Sequence, residues 1–375
     1  PNQPEGVLKY MYCAVDVNHQ LPNVPYEVLD ELYILEETNV VVEPTEDDEE
    51  DFEEGNKSVQ TSYWETLEMK AKEIVGAEVS YNKSKWRPQG DVYYHDTSLN
   101  KDIPLEGVPV RCRKNIFVTH QCCTNEKGHF SFDRLRGRVD YYIRWRRDNF
   151  KIREHSGVNV AETNLKRNTK SSVTYIVTHG TRAWECASIF RAAHFYYYKA
   201  QNYGASTPSK NSLTIRPSAK STTNNGCYGR RVLGSDVHIY CLNLQSAKIF
   251  CTTIHEIGHS VHNFWNTQKY SDYDDKMRDT WAGGIAWYLT EKVYNLSYFE
   301  EHLHYGIPPR YTGLIKDLMD DYDYKTPYDN VSGFTMPQIE NAFRKNTTWE
   351  SLKTYLKTLK VAKDEDIDKV FAYWN

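Results

Sequence analysis

An α+β fold is predicted by three features of the chain. Between about Gly90 and Arg153, short alternating apolar segments are split by Gly and Asn/Glu/Lys turns. Helical periodicity runs from Arg182 to Tyr203 and resumes near Ala247. From Thr335 onward, three further segments read as amphipathic helices. The expected organisation is an N-terminal β/helical segment over 1–80, a small all-β sandwich over 81–155, and a mixed domain over 156–375 ending in a helical subdomain.

The elements follow in order. VLKYMYCAVDV and ELYILEETNVVVEP, in the first forty or so residues, read as short strands. From Glu43 to Glu54 come nine acids in twelve residues. Such a block repels itself and forms a solvated loop, and it lacks the spaced Asp/Asn/Gly pattern of a calcium loop. Ser62 and Glu65 form a capping box for a helix with Trp64, Leu67, Ala71 and Ile74 on one side and Gly76 as its stop. DVYYH, VPVRCR, IFVTHQC, HFSFDRL and VDYYIRW are the strands of the sandwich. SSVTYIVTHG reads as a strand leading into the helix that starts at Arg182, which Gly204 closes. Asp236 to Cys241 alternates as a half-buried, edge-type strand just before the helix that begins near Ala247. MPQIENAFRK, TTWESLKTYLKTL and DEDIDKVFAYW complete the chain, their aromatics reading as core.

Composition narrows the function. With 375 residues and 39% hydrophobic content the chain can bury two or three cores. Its 46 basic against 51 acidic side chains, a formal charge of -5, give no electrostatic case for binding nucleic acid. No run approaches the roughly 18–20 apolar residues of a membrane span. The start, PNQPEG, has no initiator Met, so a processed or trimmed chain is expected, from which an export signal would already be gone. Eight cysteines spread over the chain form no C-x-x-C pair and indicate no disulfide scaffold. Cys186 and Cys251, on helical patterns, suit buried thiols.

The chemistry is carried by His255-Glu256-Ile257-Gly258-His259, an HExxH motif on a helical pattern. Residues four apart on a helix share a face, so both imidazoles can reach one cation. Ala247, Phe250, Ile254, Val261 and Trp265 form a separate apolar stripe that anchors the helix while the histidines face a cleft. His262 points towards the same side but would give strained coordination from one straight helix, which leaves it a substrate-pocket or supporting role, or that of a surface histidine. Closed structural zinc sites are usually cysteine-rich, and only Cys251, one turn before His255, lies near.

Two resemblances add to this. Leu105 to Val110, the Thr124-Asn125-Glu126-Lys127-Gly128-His129-Phe130 hairpin and Tyr141-Tyr142-Ile143 resemble transthyretin-like, carboxypeptidase-regulatory-like modules over about sixty residues. Such modules brace a neighbouring domain, so no chemistry is expected there. Residues 170–340, in which helix and strands precede the HExxH helix, resemble the zincin metallopeptidases. The metzincin extension is absent, since His262 and Trp265 stand where its glycine and third ligand would be. The gluzincin pattern seeks an acid on a second helix about twenty residues further on, and Asp279 lies twenty past His259.

The resemblance therefore implies an α+β chain with a zincin-like, gluzincin-like domain holding one Zn2+ through His255, His259 and Asp279. Asp279 departs from the gluzincin glutamate, and the aspzincin signature GTxDxxYG is missing. The shorter arm requires the second helix to lie closer to the metal, and Glu291 is the alternative ligand. Glu256 is implied as general base towards a metal-activated water, and Tyr311 as oxyanion donor, with His302, His304 and Tyr328 as other candidates. The aminopeptidase strand GxMEN is not present, which favours an endopeptidase acting on a protein or peptide substrate. Likeness to secreted peptidases, with the start lacking Met, leads to the expectation of an extracytoplasmic location. The different-class alternative is a non-catalytic protein- or glycan-binding protein on an inactive zincin scaffold.

Overall fold

The computed structural model describes residues 85–114, 117–154, 159–208, 213–218, 226–228, 237–241, 244–265, 270–294, 312–320 and 330–375. All fall within the unit Lys57–Asn375. The N-terminal strands, the acidic run, the Ser62–Gly76 helix, and Tyr311, His302, His304 and Tyr328 lie outside the described residues.

The architecture is mixed α+β. Strands β1 (Lys85–Trp86) and β7 (Leu135–Arg136) form a short antiparallel pair. One four-stranded antiparallel sheet has β4 (Pro109–Lys114) between β5 (Phe117–Cys123) and β8 (Val139–Arg144), with β10 (Glu162–Thr169) beyond β8. A second is centred on β2 (Gln89–Asp96). Its partners are β11 (Val173–Val177), in parallel, and β3 (Lys101–Pro104) and β6 (His129–Ser131), both antiparallel. The two sheets meet where Phe130 packs edge-on to Tyr141, ring centroids 5.7 Å apart. A third sheet runs β13 (Gly226–Tyr228), β14 (Val237–Tyr240), β12 (Leu213–Ser218), β9 (Phe150–Ile152), parallel except at β13. Strands from 81–155 and from 156–375 thus pair with one another, β2 with β11 and β9 with β12.

The residues that carry the transthyretin-like resemblance have physical work in this fold. Thr124 Oγ1 donates to the Leu105 carbonyl (2.6 Å) and accepts from the Val108 amide (2.9 Å), locking the turn before β4 to the hairpin. Gly128 has φ 76°, and a Cβ there would lie 2.4 Å from the Val92 carbonyl, so the hairpin closes on β2 only with glycine.

The helices are α1 (Arg182–Tyr198), α2 (Ser246–Asn263), α3 (Asp275–Tyr294), α4 (Leu314–Met319), α5 (Met336–Lys345), α6 (Trp349–Thr358) and α7 (Asp364–Tyr373). Helix α1 is apolar on most sides and is buried between layers: Phe190 meets Trp145 and Phe150, while Phe195 meets Phe250 of α2. Its α-helical bonding ends at Tyr198, and a 3-10 turn over Ala200–Tyr203 carries the chain to left-handed Gly204. The three C-terminal helices start at caps written in the sequence: Thr335 with Gln338 and Thr348 with Ser351 for α5 and α6, and an acidic first turn for α7. Their aromatics pack, as in the contact of Trp349 with Phe371.

Strand β14 is a correction to the expected edge strand. It is paired on both sides, with β12 and β13, and so lies inside its sheet. Its half-buried alternation reports one covered face and says nothing about lateral partners.

A polar network ties the second sheet to the helices. The alternating burial of β2 turns Asp96 inward, where it is fully buried. Its Oδ1 accepts from the Ser98 and Leu99 amides, and its Oδ2 from Arg191 (2.6 Å) and the Tyr294 hydroxyl (2.8 Å). Replacing Asp96 with Ala is expected to destabilise the protein by about 3–5 kcal/mol, because the Arg191 guanidinium loses the carboxylate paired with it. Urea unfolding measures this, and an unchanged midpoint would contradict it. Among the described residues Cys112, Cys122, Cys123, Cys186, Cys241 and Cys251 are free thiols, and no helix is long and apolar enough to cross a membrane.

Candidate metal centre

Helix α2 is positioned from both ends. Gln245, at its N-cap, supplies no side-chain bond. The Ser246 amide instead donates to Thr97 Oγ1 and the Ala247 amide to Ser98 Oγ, each at 2.9 Å, and Tyr94 OH donates to Ser246 Oγ at 2.7 Å. The stripe of Ala247, Phe250, Ile254, Val261 and Trp265 is buried. Helix α3 runs antiparallel along α2, with Phe250 against Tyr294, Cys251 against Thr290, and His259 beside Asp279.

This packing brings one ligand atom each from His255, His259 and Asp279 within 4.8 Å of one another. His255 Nε2 and His259 Nε2 are 3.1 Å apart, and His259 Nε2 is 3.4 Å from Asp279 Oδ1. Donors about 2.0–2.1 Å from a tetrahedral zinc are separated by roughly 3.3 Å, so both spacings suit edges of one coordination tetrahedron. Both contacts meet at the single Nε2 of His259, which can donate or accept only one in-plane hydrogen bond and so cannot link His255 and Asp279 as a hydrogen-bonded chain. Burial, with a smaller contribution from the Lys248 ammonium, pulls the His255 imidazole down to about 4. It is therefore neutral near pH 7, the form that offers a lone pair.

Glu256 occupies the adjoining side of α2 and is buried, 5% exposed. Glu291 is not part of the cluster; it lies more than three turns beyond Asp279 on α3 and influences Tyr288. Cys251 is not part of it either; burial pushes its thiol up, and it faces Thr290. His262 turns away from a substrate-pocket or surface position. It is 1% exposed and packed among Trp265, Tyr270 and Tyr273, with ring centroids 4.7, 5.4 and 4.3 Å away. Seven residues from His255 is nearly two full turns, yet the aromatic residues after α2 enclose that end of the helix.

Tyr270 was not recoverable from the sequence. It sits in a 3-10 turn over Tyr270–Asp272, and its hydroxyl lies 3.0 Å from His259 Nδ1, with the Arg278 guanidinium over its ring. One tyrosine among 29, on the connection between two helices, carries no local signal of that role. No protein-family model and no curated protein matches the chain.

Proposed function

We propose that the protein is a zinc-dependent endopeptidase, with one Zn2+ per chain held by His255, His259 and Asp279. The observation that carries this reading is the convergence of those three ligand atoms on two packed helices, with Glu256 between the histidines in the chain. The donor set suits the ion, since two imidazoles and one carboxylate leave a coordination position for a reactant, as in catalytic rather than structural zinc sites. Bound zinc would supply Lewis acidity, polarising a carbonyl and lowering the pKa of water towards about 7.

The protein's own groups do the rest. Tyr270 OH lies 3.0 Å from His259 Nδ1, and with Nε2 on the metal it would accept a hydrogen bond from Nδ1–H and so fix that tautomer. Glu256 takes a proton from the attacking water and returns it to the leaving amine. Tyr311 is the proposed oxyanion donor. The substrate is a protein or peptide, and the proposed location is extracytoplasmic.

Zinc content and digestion of denatured casein test the proposal together. About one zinc per purified chain, and casein cleavage lost on chelation and restored by Zn2+, are expected. A chain that takes up no zinc from excess, or a zinc-loaded chain that leaves casein intact, overturns the peptidase reading; the second result favours a binding protein on an inactive scaffold.

A further inference from the structure

The third ligand is an aspartate, one methylene shorter than glutamate, and a shorter arm reaches the same point only from a nearer helix. We infer that Gly258, inside the HExxH motif, sets the spacing between α2 and α3 that makes Asp279 the matching ligand. This inference rests on the metal reading above.

The helices approach each other closely at Gly258. A Cβ built there would stand 3.0 Å from Ile285 Cγ2 and 3.2 Å from the Ala282 Cα, both tighter than ordinary carbon contacts. Gly258 is in a helix interior, where glycine costs about 1 kcal/mol relative to alanine, so backbone conformation does not call for it. Contact with α3 does. Ala282 is one turn after Asp279, so the surface that Gly258 allows to approach is continuous with the ligand position. Across the same contact His259, next to Gly258, is 3.4 Å from Asp279 Oδ1.

At Gly284 α3 packs closely against α4. A Cβ at Gly284 would come 2.3 Å from Ile315 Cδ1 of α4. Packed against α4 at Gly284 and against α2 at Gly258, α3 has a defined distance from the histidines. An added methyl at 258 must move α3 outward or displace Ile285, by some tenths of an ångström. Metal–ligand distances tolerate only about 0.2 Å, and Asp279 has no further bond about which to extend. A glutamate, about 1.5 Å longer, has that slack. Gly258 is therefore a positioning residue: it acts on the cluster through Ala282 and Asp279 and touches no ligand atom itself.

The test is a cycle of four full-length proteins, wild type, G258A, D279E and G258A/D279E, with zinc affinity read by competition with a chelator and the fold by circular dichroism of the zinc-free form. G258A and D279E are each expected to weaken zinc binding by roughly ten- to a hundredfold. The double variant is expected to bind more tightly than either single variant, because the longer arm fits the wider spacing. A merely structural glycine would give losses that multiply, and that result, or wild-type affinity in G258A, overturns the inference while leaving the metal site standing. If G258A does not fold, Ala282→Ser enlarges the same contact from α3 and takes its place in the cycle. Wild-type protein that binds no zinc overturns the metal reading and this inference with it.

Discussion

Glu256→Gln is expected to leave zinc content unchanged and to lower casein hydrolysis by about 10²–10⁴-fold. The amide keeps the size and most of the packing of the carboxylate in its buried position but cannot accept a proton from water. Glu256→Ala should act in the same direction, with an added packing loss in this buried position, which makes the glutamine variant the sharper probe. Side by side, metal analysis and progress curves separate the roles within the motif: histidine variants lose the metal, and the glutamate variant loses only turnover. Hydrolysis at the wild-type rate by Glu256→Gln would remove Glu256 as the base, whatever the metal content.

The second large effect is on acid stability. His194 and His262 are both held neutral, each pulled down to about 3. For His194 burial is the main cause and the Arg147 and Lys199 charges add to it; for His262 burial leads and Arg278 adds. In the unfolded chain each imidazole returns to about 6.5. The folded value is depressed, so the unfolded state binds more protons. Stability is complete above pH 6.5 and is lost as pH falls towards 3. Each group contributes about 1.4 kcal/mol per pH unit in that window, so the pair removes roughly 5 kcal/mol between pH 6 and 4. That is comparable with the whole stability of many domains, about 5–15 kcal/mol.

Loss of stability above the range where carboxylates protonate should therefore be observed in urea titrations at pH 7, 6 and 5. His262→Phe isolates one half of it. Both ring nitrogens of His262 lack a hydrogen-bond partner among the described residues, and the ring is enclosed by aromatics, so phenylalanine should fit and flatten the slope by about one proton. A slope identical to wild type would show that the fold does not depress the His262 imidazole.

Much of the fold was legible because its signals are local. The alternation of β2 and the period of α2 each lie within one element and agree with the structure. Strand β10 was not legible. Its sequence ETNLKRNT is mostly polar and largely exposed, and it becomes a strand by pairing with β8, with register shifts on the way. Strand β12 contains Pro217, which argues against a paired strand, yet it lies between β9 and β14. Helix α4, Leu314–Met319, is too short to show a period.

The candidate site divides in the same way. His255, Glu256 and His259 are a matter of spacing on one helix, and a four-residue separation lying close to one turn of 3.6 residues is a property that any helical peptide would share. Their meeting with Asp279 depends on how closely α2 and α3 approach, hence on the missing side chain at Gly258 and on Ala282 opposite it. The cap on α2 comes from Thr97 and Ser98, 149 residues upstream, and the partner of His259 Nδ1 comes from Tyr270 on the following connection. Short-range periodicity is written residue by residue, whereas contacts between distant segments are chosen by the packing of the complete chain, which no single stretch encodes.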